Sequence, residues 1–126
     1  MGLFGWGKKE IASASDPAIF AFTFKVASGA TTIPAPMVGA WVTAYATGDD
    51  STAAAERAWQ KLRTMGYVVE DMQSKGQTFP VSHWNAHIAA TWPEFAEEFP
   101  DQDSVLQVLA TKNAVLSPFA GFESEA

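Results

Sequence analysis

Between Met37 and Met72 the apolar pattern changes its period twice, and no other stretch restricts the fold as tightly. Val38, Ala40, Val42, Ala44 and Ala46 alternate with Trp41, Thr43 and Tyr45, the two-residue period of a strand. Ala55, Ala58, Leu62 and Met65 then recur at steps of three and four, while Arg57, Gln60, Lys61 and Arg63 fall mostly outward, as on an amphipathic helix. Asp49, Asp50, Ser51 and Thr52 offer N-caps for that helix, and Gly66 stands where a left-handed C′ residue is wanted. Tyr67-Val68-Val69 returns to β-forming side chains. The unit is therefore strand, helix, strand, with small residues on one strand face that let the helix approach closely. If both strands lie in one parallel sheet, the crossover should be right-handed.

The flanks add elements to this frame. Ile19 to Val26 alternates Phe20, Phe22, Phe24 and Val26 with Ala21, Thr23 and Lys25, a half-buried strand. It joins the Val38 strand through the loop Ser28 to Pro36, so antiparallel pairing is the simplest connection. Ser74 to Thr78 reads as a polar turn. Trp84, Ile88 and Trp92 mark a helix, Pro93 to Phe99 a second short one, and Asp103 or Ser104 caps a third that ends near Asn113. Pro118 and Gly121 limit the stretch from Ala114 to Phe122 to an edge strand or loop. The expectation is one α+β domain over 17–126, with a small mixed or antiparallel sheet of three to four strands and helices packed on one face. A ferredoxin-like half-motif is the nearest analogy from element order. Residues 1–16 read as a flexible N-terminal tail.

Composition narrows the function classes. The 126 residues include 48% hydrophobic ones, enough for a single core. Without cysteine there is no disulfide, thiolate nucleophile or cysteine-ligated zinc. No apolar run approaches the roughly 18 to 20 residues of a membrane span. Lys8 and Lys9 follow the short apolar stretch at the N-terminus, the reverse of a secretory signal, and Trp6 stands where a myristoylation pattern wants Ser or Thr. These readings favour a cytoplasmic protein that does not engage membranes.

The net charge of -6 is concentrated in the last quarter of the chain. Up to position 93 the charges cancel; beyond it Glu94, Glu97, Glu98, Asp101, Asp103, Glu123 and Glu125 face Lys112 alone. Such a field repels phosphate backbones and attracts basic surfaces, which argues against nucleic acid as a partner.

Chemical motifs are sparse. Gly2 to Lys8 matches the letters of a phosphate-binding loop, but no buried strand precedes it, and Lys9 replaces the Ser or Thr that would hold magnesium. His83 and His87 share the four-residue spacing of zinc-binding helices, yet Trp84 stands where the catalytic glutamate would be. The neighbours Asp49-Asp50 and Glu70-Asp71 are better explained by capping and solubility than by acid–base catalysis. No G-x-S-x-G elbow is present. A non-enzymatic protein without cofactor or metal is expected.

The leading functional expectation comes from the aromatic residues interleaved with acids. Trp84, Trp92, Glu94, Phe95, Glu97, Glu98, Asp101 and Asp103 combine aromatic anchors with steering charge, suited to capturing a basic protein as an acidic inhibitor, immunity or antitoxin protein would. The alternative is a small ligand-binding or enzymatic domain that uses a cleft between helices and sheet, with His83 and His87 as the groups titrating near neutrality. A third is self-association, as a homodimer, through the Phe strand or an aromatic edge.

Overall fold

The computed structural model describes residues 17–123, with the backbone alone described at positions 74 and 75. The predicted tail, residues 1–16, lies outside the described residues. Strand β1 (Ala18–Ala27) occupies the middle of the sheet. On one side it pairs antiparallel with β2 (Gly39–Ala46), from Phe20 opposite Ala46 to Val26 opposite Ala40. On the other it pairs antiparallel with β3 (Val68–Pro80). Two short strands, β4 (Val115–Leu116) and β5 (Ala120–Phe122), both pair with the far edge of β2.

Because β2 and β3 each oppose β1, they run in the same direction on either side of it. Helix α1 (Ser51–Thr64) links them by crossing over the central strand. The Asp50 carboxylate accepts the Ala53 N–H at 2.9 Å and caps the start of the helix. At its end the Tyr67 N–H bonds the Leu62 carbonyl and the Gly66 N–H the Arg63 carbonyl, a Schellman pair that requires the positive φ of 96° at Gly66. A side chain at Gly66 would also meet the backbone of Thr31, whose N–H bonds the Gly66 carbonyl.

Strand alternation sends the two sides of β1 and β2 into different cores. Phe22, Phe24 and Val26 with Ala40, Val42, Ala44 and Ala46 face α1, where Ala54, Ala58 and Leu62 meet them. The alanine row lets the helix sit close, as its small side chains predict. Ile19, Ala21 and Tyr45 point the other way, against Trp84 and Ile88 of α2 (Trp84–Thr91) and Val105 and Leu109 of α3 (Val105–Lys112). Arg57 connects the layers around the sheet edge. Its guanidinium donates to the Leu109 carbonyl at 2.6 Å and to Asn113 Oδ1 at 3.3 Å, at the C-terminal end of α3.

The α+β class therefore holds, and its finer details are corrected. Among the described residues the sheet has five strands, because the segment after Ala114 supplies two short pairings with β2. Helices cover both faces, because the side of β1 and β2 opposite the phenylalanines carries its own large buried group, Tyr45, which needs a cover. The strand between the arms of the split β2–α1–β3 path is β1, which precedes that path in the chain, so a ferredoxin-like half-motif is not established.

The polar turn expected at Ser74 to Thr78 is part of β3 instead. Its pairing with β1 passes from Thr23 opposite Gln73 to Ala21 opposite Gln77, so extra residues bulge out around Gly76, where φ is 86°. Turn-forming residues here bend a strand without reversing it. The phenylalanine face of β1 packs beneath α1, with Phe22 and Phe24 in the core cluster. No helix among the described residues is long and apolar enough to cross a membrane.

Candidate functional site

Beneath α2 the sheet presents two rows of side chains running across three strands. One row is Tyr45, Ala21 and Gln77; the next is Thr43, Thr23 and Gln73. Ala21 is the small member between two large neighbours, so the floor dips there. His87 and Thr91 of α2, with Trp92 just after it, wall the depression and leave a cavity of about 330 Å³, within the range of small-ligand sites. Gly76 also lines it, at the bulge that carries Gln73 and Gln77 past β1. Its positive φ and its approach to the Ala21 carbonyl leave no room for a side chain.

Hydrogen bonds organise the walls. The Trp92 Nε1–H donates to Tyr45 Oη at 2.8 Å, and the same oxygen lies 2.8 Å from His87 Nε2. The Tyr45 ring is held edge-on to Trp84, with centroids 5.1 Å apart, and the His87 ring stacks on Phe79 at 4.4 Å. Thr23 and Thr43 share a hydroxyl hydrogen bond of 3.1 Å on the floor. Burial raises the Tyr45 pKa above its ordinary 10.0, against a smaller lowering by the Trp92 hydrogen bond. Burial also lowers that of His87 below 6.5, so both groups are neutral at pH 7. Among the described residues no Asp, Glu, Lys or Arg lines the pocket. It offers hydroxyls, amides, a neutral imidazole and an aromatic edge.

The residues singled out by sequence separate into three environments. Trp84 is completely buried, its indole N–H donating to the Pro100 carbonyl at 2.8 Å, so it packs the core and presents no surface to a partner. Trp92 belongs to the pocket wall. Glu94, Phe95, Glu97 and Glu98 are exposed on the 3₁₀ turn Pro93–Glu98. Asp101 and Asp103 are exposed in the following loop, where the Asp101 carboxylate accepts the backbone N–H and the hydroxyl of Ser104 at 3.0 and 2.9 Å. Asn85 and Gln102 fasten that loop to α2 by reciprocal side-chain to backbone bonds of 3.1 Å.

The two histidines take different roles. His87 faces Tyr45, whereas His83 is exposed on the rim of an adjoining groove that His87 also lines. Among the described residues no group of three or more His, Asp or Glu is placed to hold a metal ion.

Thr23, Thr43, Tyr45, Gln73 and Gln77 form no motif in the sequence, because their convergence depends on strand register. The available signal was the polar alternation on β1 and β2 opposite the phenylalanines, which looks like an ordinary solvent face. Comparison with known protein families, curated proteins and solved structures finds no match to this chain. The fold and site define an α+β domain with a pocket between one sheet face and a helix, and the described residues that line it include polar groups and no charged side chain.

Proposed function

We propose that this domain binds a small, uncharged, polar molecule in the pocket between α2 and the sheet. The observation that carries the reading is the convergence of Thr23, Thr43, Gln73, Gln77 and the Trp92–Tyr45–His87 chain on the depression at Ala21. Hydroxyls and amides both donate and accept, so they suit a ligand rich in the same groups. A charged ligand would lose hydration without gaining a counter-charge. The described lining residues include no carboxylate or activated nucleophile, which favours binding over catalysis and an organic ligand over a metal.

Chemical-shift mapping with panels of neutral polyols, nucleosides and primary amides tests this. The expected result is saturable shifts at Thr23, Gln73, Gln77 and the Trp92 indole, weakened by Gln77→Leu. If no neutral compound moves these signals, or if anionic analogues move them equally, the reading is wrong.

A second reading is supported by the exposure of Phe95, at 36%, among Glu94, Glu97 and Glu98. In it the acidic surface from Glu94 to Asp103 captures a basic protein in the cytoplasm, in the manner of an inhibitor, immunity or antitoxin protein. Phe95 takes the place of Trp84 as the anchor. Its affinity for a basic partner should fall steeply with salt and with neutralisation of Glu94, Glu97 and Glu98. Salt-independent binding would exclude steering by this surface.

A further inference from the structure

On the sheet face opposite the polar pocket, a cavity of about 520 Å³ opens between α1 and β3. Phe22 and Phe24 form its floor, Ala55 and Trp59 one wall, and Val69 and Met72 the other. Trp59 and Met72 remain 38% and 40% exposed, although both adjoin the apolar core. Glu56, Glu70 and Asp71 also line it and stand exposed, giving an apolar groove an acidic margin. Lys25 lies 4.0 Å from Glu70, and the Arg63 guanidinium lies over the Trp59 ring, 4.7 Å from its centroid.

The chain itself contains a sequence complementary to this groove. Residues 3–9 read Leu-Phe-Gly-Trp-Gly-Lys-Lys, three large apolar side chains followed by two cations. Neither the polar pocket nor the acidic surface uses them. Gly5 and Gly7 carry no side chain, which permits close backbone approach. The point of attachment adjoins β3: the Pro17 carbonyl accepts the Val81 N–H at 2.8 Å. The eleven residues from Pro17 back to Trp6 span up to about 36 Å when extended. The six from Ala18 to Phe24 along β1 cover about 20 Å. The reach is ample.

We propose that residues 3–9 of the same chain occupy this groove, with Leu3, Phe4 and Trp6 against Trp59 and Met72, and Lys8 and Lys9 against Glu56, Glu70 and Asp71. The N-terminal segment is then the cover of the α1–β3 face. This assignment is independent of the pocket on the opposite face.

The absence of cysteine makes the test direct, because a nitroxide on Gly2→Cys of the full chain is the only label. Amide signals of Ala55, Trp59 and Met72 are expected to lose intensity, while those of Ala90 and Thr111, on the far side, keep theirs. Met72→Glu, at an exposed position compatible with folding, should restore the lost signals. Unchanged groove signals, equal losses on both faces, or losses that survive Met72→Glu would overturn the proposal. So would losses in enriched, unlabelled protein mixed with labelled, unenriched protein, because the occupant would then be a second copy.

Discussion

Replacing Tyr45 by Phe deletes one oxygen and leaves an almost isosteric ring in the core. That oxygen is the acceptor for the Trp92 Nε1–H at 2.8 Å and the partner of His87 Nε2 at the same distance. The phenol is only 1% exposed, so water does not freely replace it. Two lost bonds at a net ~0.5 to 1.5 kcal/mol each give a destabilisation of about 1 to 3 kcal/mol, with the stranded indole N–H favouring the upper half. For a domain of this size that is a fall in Tm of roughly 4 °C per kcal/mol. Urea unfolding of wild type, Tyr45→Phe, Trp92→Phe and the double variant would give the stability loss and the Tyr45–Trp92 coupling together. A Tyr45→Phe loss within experimental error, or strictly additive single effects, would refute the hydrogen-bonded chain as an organising element of the pocket.

Three further outcomes follow from the geometry. Gly66→Ala forces a side chain onto a φ of 96° and against Thr31, and should cost about 1 to 3 kcal/mol in chemical denaturation. Arg57→Ala removes the guanidinium from the Leu109 carbonyl and Asn113 and should cost about 1.5 kcal/mol. Amide exchange in the last turn of α3 should rise more than in α2. For His87, whose folded pKa lies below its unfolded value of 6.5, the unfolded chain binds the proton more readily. The histidine contribution is therefore fully present above pH 6.5 and lost as pH falls through the folded pKa; His87→Asn should flatten that part of the stability profile.

Local chemistry made much of the scaffold legible. Asp50, Gly66 and the alternation of β1 and β2 act through near neighbours, so their roles can be read along the chain. The bulge at Gly76 could not, because residues that favour a turn also accommodate a bulge, and pairing with Ala21 and Thr23 decides between them. The pocket was least legible. His87 and Trp92 stood out by residue type, but their meaning changes once Tyr45, 42 positions from His87 in the chain, supplies the oxygen they share. Trp84, grouped in sequence with the acidic residues as a surface anchor, lies under the sheet instead, where its indole N–H donates to the Pro100 carbonyl.

The alternation of β1 also protects the molecule from a particular error. A slip of one residue against β2 would turn Phe20, Phe22 and Phe24 toward Tyr45 and present Ala21, Thr23 and Lys25 to α1. The misregistered chain would bury a lysine and fill its own pocket in a single step. Correct register and an open pocket thus depend on the same residues, and Ala21 can enlarge only at the expense of the empty space above it.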